Sequence, residues 1–218
     1  GAETPTADEL LAEADEYRAS KAAETEPMLD LYKKACEAGS QDGCVTMDVV
    51  SISAGKSSPR QQRKLMKVLT KACDQESARG CLFLGRMVTR TSGMAAGIEF
   101  LVQGCSYGSA RACRQASTAF FSGDGVPKDV DRAMALVAKA CDFGNSAACS
   151  SLASAYDEGK LVPIDKDRSV ALWERSCELT NDSMGCMRAS MAYQFGWGIK
   201  PDLQKAHRIR LGACERGM

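Results

Sequence analysis

The stretch "AKACDFGNSAAC", Ala138–Cys149, sets two cysteines eight residues apart around a glycine and an asparagine. It returns as "KKACEAGSQDGC" (33–44), "TKACDQESARGC" (70–81), "VQGCSYGSARAC" (102–113) and "ERSCELTNDSMGC" (174–186), and its first half recurs as "LGACERG" (211–217). The leading cysteines Cys36, Cys73, Cys105, Cys141, Cys177 and Cys214 follow one another at intervals of 37, 32, 36, 36 and 37 residues. A period of roughly 20 to 50 residues marks a stack of small structural units, none of which buries its apolar face alone.

The residues around each pair define those units. Five positions before each leading cysteine stand Leu31, Val68, Phe100, Leu136, Leu172 and Ile209, and one position before it stand Ala35, Ala72, Gly104, Ala140, Ser176 and Ala213. Met28, Leu31, Tyr32, Ala35 and Cys36 trace one face of a helix ending at the cysteine. After each second cysteine, small or apolar residues recur three and six positions on, as in Leu84 and Met87 or Leu152 and Ala155, so another helix starts there. Two antiparallel helices per repeat, rich in Ala, Leu, Lys, Glu and Arg and without alternating β-branched runs, predict an all-α protein. The expected form is a right-handed αα solenoid over 1–218, one domain of about six repeats: a capping repeat at 6–40, then 41–76, 77–108, 109–144, 145–181 and 182–218. The leading helix of the first repeat, Ala7 to Ala23 after Pro5-Thr6, is acidic and lacks a cysteine, as a cap requires.

The spacing also bears on what the cysteines do. On one continuous helix, Cys141 and Cys149 would lie about 12 Å apart, whereas a disulfide needs Cα atoms within about 7 Å. "DFGNS" supplies the reversal that joins them: Gly144 takes a left-handed conformation and Asn145 or Ser146 caps the next helix. Pairs Cys36/Cys44, Cys73/Cys81, Cys105/Cys113, Cys141/Cys149 and Cys177/Cys186 then staple each repeat to the next, each worth roughly 2.5 kcal/mol by loop-closure entropy. Zinc sites favour cysteine spacings of about two to four residues, redox couples favour CxxC, and covalent haem needs CxxCH. The chain has none of these and a single histidine, so neither a metal nor a cofactor is expected. Cys214 is the odd thiol. Its partner is expected near position 222, so a continuing native chain is favoured over a free or intermolecular thiol, which would give a dimer on non-reducing electrophoresis.

Between the helices run "AFFSGDGVPKDVDRAMALVAKAC" (119–141) and "AYQFGWGIKPDLQKAHRIRLGAC" (192–214), an aromatic followed by a Gly-x-Gly loop and an alanine-bearing helix. This pattern resembles the Sel-one-like repeat, a relative of the tetratricopeptide repeat, with loop glycines Gly123 and Gly125 and again Gly196 and Gly198. The copy "AYDEGKLVPIDKDRSVALWERSC" keeps Tyr156 and Gly159 but has Leu161 in place of the second glycine, and "SAGKSSPRQ" (53–61) and "TRTSGMAAG" (89–97) depart from the pattern. The resemblance, to cysteine-rich members in particular, implies scaffolding and partner binding. It implies a periplasmic or secreted bacterial protein, or alternatively one of the mitochondrial intermembrane space. Some such relatives are described as binding or hydrolysing β-lactams, which makes a weak β-lactam or cell-wall amide hydrolase the alternative function.

Composition excludes other classes. Lys and Arg number 28 against 28 Asp and Glu, which argues against a nucleic-acid partner. No run approaches the eighteen apolar residues of a membrane span, and the signal peptide is expected to have been removed, with lipid anchorage through an absent N-terminus compatible. Eleven cysteines point to an oxidising compartment. Catalysis finds little support: His207 reads as packing or solvent face, Ser53-Ala54-Gly55-Lys56 is the one Ser-x-x-Lys match considered and lacks its companion motifs, and the carboxylate pairs Asp129/Asp131 and Asp165/Asp167 read as helix caps. The preferred reading is a non-catalytic, monomeric scaffold for a protein or peptide partner.

That partner is expected on the concave face. Positions one, four, five and eight after each second cysteine should point away from the paired helix. The residues singled out there are Leu82, Arg86, Arg114, Thr118, Phe121, Met187, Met191 and Gln194, several of them apolar where a solvated face would be polar. A phase error of one residue would instead pack some of them inside.

Overall fold

A computed structural model describes residues 5–19, 24–53, 58–179 and 182–215. Among them are twelve α-helices and no strand. The helices divide between two compact units, Gly1–Tyr107 and Gly108–Met218. The first holds α1 (Ala7–Ala19), α2 (Thr25–Glu37), α3 (Gln41–Ser53), α4 (Pro59–Asp74), α5 (Ala78–Ser92) and α6 (Met94–Ser106). The second holds α7 (Ala110–Ser122), α8 (Val130–Asp142), α9 (Ser146–Glu158), α10 (Lys166–Leu179), α11 (Ser183–Phe195) and α12 (Leu203–Glu215). In each unit every helix packs on the next along the chain, which is the all-α helical-repeat solenoid architecture.

Local chemistry starts and stops these helices. In "CDFGNSAAC", Gly144 adopts φ +85° and the Asn145 N–H donates to the Ala140 carbonyl at 2.9 Å, closing the end of α8. The Asn145 side chain then accepts from the Ala148 N–H at 2.8 Å and opens α9. Ser40 and Ser77 repeat the cap, accepting from Gly43 N–H at 3.1 Å and Gly80 N–H at 2.8 Å. One hinge breaks the rule: Glu76 sits at φ +64°, where the neighbouring hinges use glycine. Between paired helices of the second unit, Asp129, Asp165 and Asp202 accept from the backbone N–H three residues on, at 2.9, 3.0 and 2.8 Å. The carboxylates of these loops are therefore caps. The departing loop before α4 carries its own start signal, a capping box of Ser58 and Gln61 with Pro59 at the first helical position.

The two units are packed with different side chains. The first has a core of Val45, Leu65, Leu69 and Leu84 with Cys73 and Cys81, flanked by half-buried Val49, Ile52, Phe83 and Met87. The second buries mainly alanines, with Trp173 between Ala153 and Ala189. Small residues set how close helices come. A Cβ on Gly97 would lie 2.6 Å from the Gly85 carbonyl oxygen, so α5 and α6 approach nearly backbone to backbone. They pack along more of their length than α3 and α4 do. The two hairpins also differ in side chain at one repeat position: four residues after the second cysteine stand Gly85, Ser117, Ala153 and Ser190, all buried, but α3 has Asp48, which is half-buried.

Two stability changes follow. Replacing Glu76 by Gly removes the left-handed strain and should raise the unfolding free energy by about 1 kcal/mol in chemical denaturation. Gly80→Val should lower it by about 1–3 kcal/mol, because a Cβ there lies 2.8 Å from Ala72 Cβ and 3.0 Å from the Cys73 backbone nitrogen.

Candidate functional site

The cysteine pairs occupy the hinges. In Cys36–Cys44, Cys73–Cys81, Cys141–Cys149 and Cys177–Cys186 the sulfurs lie 1.94, 1.97, 2.03 and 1.96 Å apart and the Cα atoms 4.5 to 4.6 Å apart. Each joins the last turn of one helix to the first turn of the next. Cys105 and Cys113 are disulfide-bonded as well, and Cys214 is an exposed thiol on α12. The sulfurs of these four pairs are all bonded within the hinges.

The residues expected on the open face divide. Arg86, Arg114, Thr118 and Met187 are exposed, and Phe121, Met191 and Gln194 are partly exposed. Leu82 is not on that face, being only 4% exposed. It lies in the first turn of α5, where the side chain leans back toward the hinge and is covered. The positions four after the second cysteine are also inside, as Ser117, Ala153 and Ser190 demonstrate. The outward stripe is thus narrower than the periodicity suggests: position five is exposed or half-buried throughout, position eight is half-buried, and position one is buried at Val45 and Leu82 but exposed at Arg114 and Met187.

In the first unit this stripe opens into a groove of about 330 Å³. Val49 and Ile52 of α3, Leu65 and Leu69 of α4, and Phe83 and Met87 of α5 form its floor, with Gln62, Arg18, Arg86 and Arg90 around it. The floor is continuous with the core, because these six side chains belong to the core cluster or pack directly against it. Arg86 was legible as a surface residue of the stripe. The groove was not, although Asp48 in place of a small residue and the irregular "SAGKSSPRQ" loop both mark the hairpin that opens.

Partly buried polar networks hold the surrounding helices. Arg79 of α5 donates from Nη1 to Asp15 Oδ1 at 2.9 Å and to Thr46 Oγ1 at 3.2 Å, pairs through Nη2 with Asp15 Oδ2, and lies 3.6 Å from Asp42 Oδ2. The Tyr32 hydroxyl donates to Asp15 Oδ1 at 2.8 Å. Burial pushes the Asp15 carboxyl upward, but the hydrogen bonds and charge of Arg79, with Tyr32, outweigh it and hold the group below the ordinary aspartate range. In the second unit, the Ser150 and Ser176 hydroxyls both reach Asp182 Oδ2 at 2.5 Å. Burial again opposes ionisation there, and the two serines with the Gly185 and Met184 N–H groups lower Asp182 overall. These clusters tie neighbouring helices together.

His207 is exposed on α12, and Ala54, Gly55 and Lys56 lie outside the described residues, as does the Ser53 side chain. Among the described residues no three His, Cys, Asp or Glu side chains are grouped as metal ligands, and no helix is long and apolar enough to cross a membrane.

The repeat, its loops and its hinges match a known family. The model of the Sel1 repeat matches residues 29–40, 110–145, 146–181 and 183–208, half of the chain. The chain belongs to the Sel1 repeat family. The copies within 41–107 escape the match, in keeping with their irregular loops. No curated protein matches the chain. Among solved structures it is similar to a Sel1 repeat protein from Oxalobacter formigenes, at 19% identity over 96% of this chain and 88% of that one, with TM-score 0.62. It is also similar to a protective antigen of uropathogenic Escherichia coli with an SLR fold, at 20% identity over 97% of this chain and 46% of that one, with TM-score 0.63. An immunity protein from Pseudomonas aeruginosa aligns at 15% identity over 97% and 84%, with TM-score 0.56. At these identities the likeness is one of fold. Sel1 repeat proteins commonly act as scaffolds for protein interaction, and the disulfide-rich form of the fold suits an oxidising, extracytoplasmic compartment.

The Asp15 network makes a prediction about acid stability. Because the native carboxyl titrates below its unfolded value, its contribution is complete above the ordinary carboxylate range and is lost as pH falls through the native value. The denaturant midpoint should therefore fall as pH drops from about 5 toward about 2, and Asp15→Asn should reduce that slope while lowering the midpoint at neutral pH.

Proposed function

We propose that this Sel1 repeat protein is a non-catalytic, periplasmic or secreted scaffold that binds a protein or peptide partner. The groove between α3, α4 and α5 carries this reading. Its lining combines buried Leu65 and Leu69 with half-buried Val49, Ile52, Phe83 and Met87, and apolar side chains grouped in this way at a surface suit a docking partner. Covering half-buried Ile52, Phe83 and Met87 returns roughly 25 cal/mol for each Å² of apolar area removed from water. The exposed and partly exposed members of the stripe in the second unit, Arg114, Thr118, Phe121, Met187, Met191 and Gln194, provide further contact positions. The cystines suit the role, since a rigid array presents its face with little ordering cost on binding.

The test is affinity capture with the oxidised chain from the extracytoplasmic fraction of its source, comparing native protein with Ile52→Asp and Met87→Asp. The expected result is a partner retained by the native chain and lost, by at least about tenfold, with either variant at unchanged circular dichroism and thiol count. Hydrolysis of a chromogenic β-lactam by the purified oxidised chain would overturn the non-catalytic reading.

A further inference from the structure

We infer that the groove of the first unit takes an acidic, apolar peptide segment, with Arg86 and Arg90 receiving its carboxylates and the α3–α4–α5 floor receiving its apolar side chains. This rests on the scaffold reading above and adds the chemistry of the partner. Three observations carry it.

The first is charge. Arg18, Arg86 and Arg90 surround the floor, and none of the lining residues is acidic. The protein as a whole is neutral, with 28 basic and 28 acidic residues, so this excess is local.

The second is pairing. Arg79, further along the same face of α5, is satisfied by Asp15 and Asp42, whereas Arg86 and Arg90 have no carboxylate partner among the described residues. The shallow hollow between α9 and α10 is the instructive contrast. It too combines apolar side chains with two arginines, but Arg168 lies 3.3 Å from Asp165 and Arg175 lies 3.4 Å from Asp142. Of these two apolar hollows, only the α3–α4–α5 groove presents arginines without partners. Guanidinium groups at the edge of an apolar floor bind carboxylates by paired, charge-assisted hydrogen bonds.

The third is spacing. Arg86 and Arg90 are one helical turn apart, about 6 Å along the axis. Two cations at that separation match two carboxylates on neighbouring positions of a peptide. A single-headed anionic amphiphile would leave one of them unanswered.

The experiment selects from a random peptide library displayed on phage against the full-length oxidised chain. Synthetic versions of the enriched peptides are then measured by fluorescence anisotropy. The expected sequences combine Asp or Glu with Leu, Ile, Phe or Met. Amidating their carboxylates, or introducing Arg86→Gln, should weaken binding about tenfold, and the double variant R86Q/R90Q about a hundredfold. Both arginines are exposed, so folding is preserved, and circular dichroism verifies it. Enrichment of neutral or basic peptides that bind the native chain and are lost with Ile52→Asp overturns the acidic assignment while leaving a docking groove. Acidic peptides indifferent to both arginine changes overturn it as well. Arginine-dependent binding of sodium decanoate without any peptide reassigns the groove to an amphiphile. A library that yields nothing dependent on Ile52 removes the scaffold reading along with this one.

Discussion

Two cysteines eight residues apart cannot bond along a continuous helix, and the whole structure depends on that constraint. Once the bond forms, the chain must reverse between them, and a reversal recurring at this period leaves a stack of hairpins as the natural outcome. The rest of the hinge follows from the same requirement. A residue must enter the left-handed region, a side chain must cap the next helix, and the residues beside each cysteine must be small enough for the Cα atoms to meet at 4.5 Å. Gly80 against Ala72 and Gly185 against Ser176 are where that last demand is tightest.

Much of this was legible from residue identity because the hinge is local. Gly144 and Asn145 do in the structure what their chemistry requires, and Asp129 and Asp165 cap helices as acidic residues at such positions do. Legibility ended where a neighbouring helix decides the outcome. Leu82 and Ser117 occupy positions that periodicity assigns to the open face, yet both are buried. Helical phase alone does not say how wide a stripe the next helix covers. Glu76 is the converse case. No local propensity would place glutamate at positive φ, yet Glu76 stands at the hinge position where Gly39, Gly108 and Gly144 take it.

The groove belongs to the same class of nonlocal feature. It lies at the hairpin whose two helices pack over the least of their length, the one that carries half-buried Asp48 where other copies bury a small residue. The irregular loops that weaken the family match in the first unit and the hairpin that opens are thus two aspects of one divergence. Regular repeats maintain the array, while the irregular one supplies surface chemistry that the regular copies lack. In the regular part Arg168 and Arg175 lie beside Asp165 and Asp142, whereas Arg86 and Arg90 at the groove have no carboxylate partner among the described residues.

In every described pair, the bonded cysteine is simply the next cysteine along the chain. For a polypeptide entering an oxidising space from its N-terminus, pairing in order of arrival is already native pairing. Such a chain can be locked hairpin by hairpin as it emerges, without awaiting distant partners and with little call for an isomerase to undo wrong bonds. The spacing that shapes the array therefore also gives it an order of assembly.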